Sequence, residues 1–196
     1  MKIKTLILLF FTYLSLQTNA NTIEPDIFVQ STVNRASNIL SKNITKDEKI
    51  LELKKIAEET VDIEGIGLYT IGSYRKEMND NELNNYSKLF KQYFLKSFSS
   101  RLAEYTNPEI NVLSKEVLSE NYTIVNSILK GTSERPEVKI DWRIYTKESN
   151  NPLIRDLIIE GLSLARTQKE EFSSIIISNN GNFKTLFEKL EEFIKN

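Results

Sequence analysis

The chain of 196 residues contains no cysteine and no histidine. Without histidine it lacks the commonest general base and the commonest ligand for transition metals. Without cysteine it lacks thiol nucleophiles, disulfides and most zinc sites. These absences exclude Ser-His-Asp and Cys-His catalytic centres and histidine-rich metal sites. An enzyme built from this chain would have to use carboxylates, lysine, tyrosine or a serine–lysine pair, and the sequence predicts neither a cofactor nor a bound metal.

An excess of charge of one sign is also missing, because 26 basic residues stand against 27 acidic ones. Such a balance gives no electrostatic basis for binding nucleic acid. Long apolar runs are scarce as well. The main one lies at the N-terminus, from Thr5 to Leu16, and is well short of the roughly 20 residues that span a bilayer.

The first 20 residues have the pattern of a secretory signal peptide. Lys2 and Lys4 precede the apolar run, and Thr18-Asn19-Ala20 places small residues at the two positions that a signal peptidase recognises. We therefore predict that residues 1–20 are removed on export and that residues 21–196 form one domain. That length allows a sizeable core without disulfides.

The spacing of apolar residues predicts that the first half of the exported chain is helical. Thr45-Lys46-Asp47-Glu48 matches a capping box at the start of one helix. Gly65 and Gly67 interrupt the pattern, and a short helix is predicted from about Leu68 to Lys76. The longest helix is expected from Asp80 to Tyr105, with an aromatic stripe that keeps helical spacing for most of its length.

Beyond Asn107-Pro108 the sequence becomes rich in valine, isoleucine, threonine and tyrosine, which favour strands. Four strands are predicted, at about residues 111–120, 122–131, 137–147 and 153–160. Short connections between them favour antiparallel pairing. In the third strand Val138, Ile140, Trp142 and Ile144 alternate with polar residues and so share one face. Two further helices are predicted after Ser163 and after Gly181. The order of elements indicates the α+β class.

Two sets of residues carry the functional alternatives that the pattern leaves open. Asp141, Arg143, Asp156 and Glu160 can meet on one sheet face, either as a pair of carboxylates for acid–base chemistry or as an ion-pair network between strands. The aromatic residues, ten Phe, eight Tyr and one Trp, can fill a core or line an apolar cavity between the long helix and the sheet.

Two segments then resemble one known family. Asp141-Trp142-Arg143-Ile144-Tyr145, followed by Asp156-Leu157-Ile158-Ile159-Glu160-Gly161-Leu162-Ser163-Leu164-Ala165, resembles the MlaC family of periplasmic phospholipid-binding proteins. These are also described as toluene-tolerance proteins or ABC-transporter auxiliary components. Gly72-Ser73-Tyr74-Arg75, and then Arg166, Phe172 and Gly181, follow the order that is usual in this family. An Asn-Asn-Pro turn that ends at Pro152 departs from it, because members often carry a tryptophan there.

The resemblance implies a curved antiparallel sheet of about four strands wrapped by helices, similar to the NTF2-like fold. It implies a periplasmic carrier without catalytic activity that moves phospholipid between the inner and outer membranes and helps to maintain outer-membrane lipid asymmetry. The implied partners are an inner-membrane ABC transporter complex with an MCE-domain protein and an outer-membrane lipoprotein–porin complex, and the carrier is expected to be a monomer.

On this hypothesis the walls of a lipid pocket come from one set of helical residues and one set of sheet residues. The expected lining residues are Leu68, Ile71, Tyr74, Phe90, Phe94 and Phe98 on helices, with Trp142, Ile144, Leu157 and Ile159 on strands. The choice of strand face matters, because a shift of one residue would turn every one of these strand side chains away from the pocket. Two alternatives remain at this point: a small-substrate enzyme on the same scaffold, and an adaptor that binds no ligand and has a filled core.

Overall fold

The computed structural model describes residues 22–196, and the predicted signal peptide lies outside them. Within this range the chain forms helices first, then a sheet, then two more helices. The helices are α1 (Pro25–Ser41), α2 (Lys46–Thr60), α3 (Ile63–Ile71), α4 (Asp80–Leu102), α5 (Leu164–Ser178) and α6 (Lys184–Lys195), with a 3₁₀ helix at Gly72–Lys76. The strands are β1 (Ile110–Ser119), β2 (Tyr122–Leu129), β3 (Val138–Tyr145), β4 (Leu153–Ile159) and β5 (Leu162–Ser163).

Side-chain caps fix the starts of the helices where the sequence carries capping residues. The predicted capping box of α2 is present: Thr45 Oγ1 accepts from the Glu48 amide at 3.2 Å, and the Glu48 carboxylate accepts from the Thr45 amide at 2.8 Å. Asn79 and Glu82 form a second capping box at the start of α4. Ser163 caps α5, as predicted, by accepting from the Arg166 amide at 3.1 Å.

The prediction that Gly65 and Gly67 interrupt the helical pattern is wrong, because both lie inside α3. Asp62 caps the start of the helix, since its side chain accepts from the Gly65 amide at 2.9 Å, and the helix ends before Gly72, which adopts a φ of 60°. Gly67 serves packing instead. A β-carbon at this position would lie 2.8 Å from Cδ1 of Phe90, so glycine lets α3 approach α4 closely.

The sheet is antiparallel and open, with its five strands in sequence order from β1 to β5. Four of them correspond to the four predicted strands, and the fifth is a two-residue strand that pairs with the end of β4. Register shifts in β1 and near Arg143 mark bulges, which bend a sheet locally. Helices and a curved antiparallel sheet confirm the predicted α+β class.

One face of the sheet is buried against the helices, and it is the face predicted from β3. The register pairs Ile140 with Ile159, Trp142 with Leu157, and Ile144 with Ile154. Ile154 and Leu157 are three residues apart, yet both face the helices, because the bulge at Arg155 inserts one extra residue between them. The sheet therefore offers a continuous apolar surface to α4.

The buried side chains form two clusters. The larger one extends from α1 and α3 through α4 to β3, β4 and the last two helices. The smaller one lies between α1 and α2 and contains Ile39, Leu40, Leu53 and Ile56. No helix in residues 22–196 has both the length and the hydrophobicity that crossing a membrane requires.

Replacing Gly67 with alanine tests the close packing of α3 on α4. Alanine normally favours a helix over glycine by about 0.5–1 kcal/mol, but the added methyl group collides with Phe90, and overpacking of this kind costs about 1–3 kcal/mol. We expect Gly67→Ala to lower the free energy of unfolding, measured by urea denaturation.

The same substitution in a Phe90→Ala background is the control, because alanine lacks the ring atoms that the added methyl group would meet. We expect Gly67→Ala to be better tolerated there, with a coupling energy of about 1 kcal/mol or more in the double-mutant cycle. Equal effects in both backgrounds would show that Phe90 is not the contact that requires glycine.

Candidate functional site

An apolar slot lies between α4 and the sheet and consists of two chambers. The outer chamber has a volume of about 230 Å³ and lies among α3, α4, α5 and strands β3 and β4. Phe90, Phe94 and Phe98 of α4 line one side of it, and Trp142 and Leu157 line the other.

The inner chamber has a volume of about 150 Å³ and lies where α1 and α2 cover the sheet. Its helical walls include Leu40, Leu53 and Ala57, and its floor includes Ile140 and Ile159. No charged residue of the described chain lines this chamber. Together the two volumes reach the lower end of the range of about 300–1,000 Å³ that is usual for small-molecule sites.

The two chambers meet at a shared wall. Both are lined by Val61, Phe98, Trp142, Ile154 and Leu157. An opening in this wall would join the chambers into one continuous slot along the sheet.

The orientation of Trp142 is fixed by its single polar atom. Its Nε1 donates to Ser127 Oγ at 2.8 Å, and Ser127 Oγ donates to the Ile140 carbonyl at 2.9 Å. Ser127 lies on β2 opposite Ile140, so this chain of bonds crosses adjacent strands. The indole is 7% exposed and satisfies its donor without water, which lets its ring serve as an apolar wall.

The outer chamber also has polar and charged lining residues, of which Asp156 is buried and others are exposed at the mouth. Tyr93 Oη donates to Gln168 Oε1 at 2.7 Å, which links α4 to α5 at the mouth. Arg101 and Glu171, both exposed, also line it. The slot thus has a polar, water-facing entrance and an uncharged interior end.

The four charged residues singled out from the sequence have structural partners. Asp156, which is 4% exposed, accepts from Ser163 Oγ at 2.6 Å and from the Ala165 amide at 3.0 Å. Arg143 approaches the same carboxylate at 3.6 Å. Asp141 accepts from Asn126 at 2.9 Å, and Glu160 accepts from the Lys139 amide at 2.5 Å. Arg143 and Asp156 thus form an ion pair between strands, as the second alternative expects, whereas the other two carboxylates accept from neutral donors.

The bulge residue Arg155 ties the sheet to the start of α3. Its Nε donates to Asp62 Oδ2 at 2.5 Å, and its guanidinium lies 3.7 Å from the ring centroid of Tyr145. The Asp62 amide in turn donates to the Ile154 carbonyl at 2.9 Å. These bonds hold Val61 and Ile154 in place in the shared wall.

The predicted lining residues divide into two groups. Phe90, Phe94, Phe98, Trp142, Leu157 and Ile159 line one or both chambers. Ile71 and Ile144 are fully buried in the core, and Tyr74 packs against that core. The carbonyl of Leu68 accepts from Arg75, and its half-buried side chain lies on α3. A role of any of the ten in lipid binding remains a prediction.

Sequence reasoning missed the contribution of the first two helices to the site. Val33 and Leu40 of α1, and Leu53 and Ala57 of α2, line the inner chamber. Their helical spacing was visible in the sequence, but a stripe that lines a cavity has the same pattern as one that fills a core.

Comparisons with known proteins agree with this architecture. A sequence model of the family described as MlaC protein matches residues 30–192. The fold is similar to that of a phospholipid-binding protein from Ralstonia solanacearum, solved in complex with a phospholipid, with a TM-score of 0.75. The two proteins share 17% identity, over 88% of this chain and 98% of the other. Comparison with curated proteins gives no match.

Fold and slot together define an α+β protein in which helices enclose an apolar cavity over a curved antiparallel sheet. The family match covers most of the chain, and the chain therefore belongs to the MlaC protein family. The resemblance drawn from Asp141–Tyr145 and Asp156–Ala165 is confirmed, since both segments lie inside the matched range.

A buried and a half-buried tyrosine on α4 predict that the protein loses stability in alkaline solution. Burial raises the pKa of Tyr86, and burial together with the negative charge of Glu171 raises the pKa of Tyr93. Above a pH of about 10 the unfolded chain releases these protons while the folded chain keeps them. The unfolded state then binds fewer protons, so the free energy of unfolding falls as pH rises.

Tyr86→Phe removes the ionisable hydroxyl of one of these two tyrosines. It also removes the hydrogen bonds of that hydroxyl with Thr70 Oγ1 at 2.8 Å and with the Gly67 carbonyl at 3.1 Å. We expect the variant to be less stable than the parent by about 1–3 kcal/mol near neutral pH. This deficit should shrink above a pH of about 10, by about 1.4 kcal/mol for each unit by which the pH exceeds the ordinary tyrosine pKa. A deficit in urea denaturation that stays constant with pH would contradict this account.

Proposed function

We propose that this chain binds a phospholipid by its acyl chains and carries it through the periplasm between the inner and outer membranes. The observation that carries the proposal is the two-chambered apolar slot between α4 and the sheet. In this role the protein would contribute to the lipid asymmetry of the outer membrane.

The energetics of lipid transport require such a slot. Two acyl chains expose about thirty methylenes, at about 0.8 kcal/mol each, so leaving them in water costs about 24 kcal/mol. Only an enclosed apolar site can offset this cost. The head group can remain in water at the mouth, near Arg101 and Gln168, so no dedicated phosphate clamp is needed.

The comparisons support the ligand class. The chain belongs to the MlaC family, and the protein from Ralstonia solanacearum with a similar fold is described as phospholipid-binding and was solved with a phospholipid. Phe90, Phe94, Phe98, Trp142, Leu157 and Ile159 are our proposed lipid contacts, joined by Leu40 and Leu53 in the inner chamber.

Binding without catalysis fits the polar groups of the slot better than the alternative of a small-substrate enzyme. Such an enzyme needs a free polar group deep in the cavity. In the inner chamber, Thr60 Oγ1 donates to the Ile56 carbonyl at 2.7 Å, and Ser37 Oγ donates to the Pro108 carbonyl at 2.9 Å. Both hydroxyl groups are therefore engaged in hydrogen bonds to backbone carbonyls. An adaptor that binds no ligand is also less consistent with the structure, because such a protein is expected to have a filled core and this one contains two chambers.

The proposal extends to location and partners. We propose that the N-terminal 20 residues direct export and are removed, and that the exported protein acts as a monomer. It would receive or deliver lipid at an inner-membrane ABC transporter complex with an MCE-domain protein and at an outer-membrane lipoprotein–porin complex.

A bulky side chain inside the slot should block lipid binding. Leu157 lines both chambers opposite Trp142, so Leu157→Trp fills space that an acyl chain would occupy. We expect transfer of a fluorescent phospholipid between donor and acceptor vesicles to fall by about tenfold or more, since a lost contact of about 1.4 kcal/mol already gives that factor. Lipid extracted from the purified variant should fall in parallel, as measured by mass spectrometry.

Val117→Trp is the matched control, because Val117 lies on β1 with 71% of its surface exposed. We expect it to transfer lipid at the parental rate. If Leu157→Trp folds and transfers lipid as fast as Val117→Trp, the slot is not the carrier site. If the parental protein neither retains nor transfers phospholipid, the proposed function is wrong.

A further inference from the structure

Four of the five residues that line both chambers lie on strands or in a β-bridge, and the fifth comes from a helix. The indole of Trp142 is held by its bond to Ser127 at 2.8 Å. Ile154 is held by the Asp62 amide at 2.9 Å, and it pairs with Val61 in a bridge. Leu157 lies in the strand ladder opposite Trp142.

Phe98 completes this wall from the helix side. It is half-buried near the end of α4, and its ring stacks on that of Phe94 with centroids 5.5 Å apart and planes at 12°. A ring contact of this kind is worth about 0.5–1.5 kcal/mol, and this is the contact that Phe98 gives up when its side chain turns away from Phe94. Rotation of the Phe98 side chain to another staggered conformer would therefore open the wall at little cost.

We infer that Phe98 is a gate that controls whether an acyl chain passes from the outer into the inner chamber, and that it thereby sets the chain length the protein accepts. This inference rests on the proposed function. With the gate closed, only the outer chamber of about 230 Å³ is available to a chain that enters at the mouth. With the gate open, the chain gains the inner chamber of about 150 Å³.

The lining of the inner chamber explains why the gate would act on chain length. Leu40, Leu53 and Ile159 offer only apolar surface to an arriving chain, so each further methylene that passes Phe98 is removed from water. Short chains can end in the outer chamber and gain nothing from the opening. Long chains need the inner chamber to hide their terminal methylenes.

The test compares lipids that share a head group and differ in chain length. The protein is incubated with vesicles of equal parts dilauroyl and dioleoyl phosphatidylglycerol, and bound lipids are counted by native mass spectrometry. We expect Phe98→Ala to raise the ratio of dioleoyl to dilauroyl lipid by about threefold or more over the parental protein, and Phe98→Trp to lower it by a similar factor.

Phe183→Ala is the control, because it removes the same atoms from another half-buried phenylalanine that packs against Phe187 at the start of α6. We expect it to keep the parental ratio. Should Phe98→Ala fail to fold, Phe98→Leu takes its place and Phe98→Trp still tests the opposite direction.

The outcomes separate the inference from the function on which it rests. A parental protein that binds both lipids, with the same ratio in the Phe98 variants, overturns the gate and leaves lipid binding intact. A parental protein that binds neither lipid overturns the proposed function, and the gate with it. A shift in opposite directions for alanine and tryptophan supports the gate.

Discussion

The register between β3 and β4 is the constraint on which the slot depends. Because the bulge at Arg155 adds one residue to β4, Ile154 and Leu157 both face the helices, opposite Ile144 and Trp142. Without the extra residue one of the two would point to the other face of the sheet, and the shared wall of the chambers would lose a side chain. The bulge residue is itself held by Asp62 and Tyr145, which link it to the start of α3 and to the neighbouring strand.

Around this sheet surface, α4 supplies a row of aromatic rings that do not fill the space completely. Phe90 packs against α3 where Gly67 provides room, and it also contacts Phe172 of α5 edge to face. Further along the helix Phe94 and Phe98 stack on each other and face the chambers. The same helix is thus closely packed at one end and borders a cavity at the other. Helix α4 therefore contributes both to the packed core and to the apolar site.

Charged residues near the slot have structural roles, and no charged residue of the described chain lines the inner chamber. The carboxylate of Asp156 accepts hydrogen bonds from Ser163 and Ala165 and pairs with Arg143. Because Ser163 and Ala165 lie at the start of α5, these bonds fix where that helix begins after the β4–β5 turn. Glu160 and Gly161 take positive φ values of 49° and 82° in that turn, which suits a tight hairpin connection. Helix α5 is thereby placed beside the mouth, where Gln168 and Glu171 meet the polar end of the slot.

The sequence by itself determined the α+β class, the alternation of β3 that buries Trp142, the caps at Thr45 and Ser163, and the family resemblance. Each of these depends on local spacing, which the order of residues contains directly. Only the tertiary structure decided that Gly65 and Gly67 belong to a helix, that α1 and α2 line the inner chamber, and that Ile71 and Ile144 are core residues. Local periodicity indicates which side chains leave water, but whether they meet other side chains or a cavity depends on how closely distant elements approach.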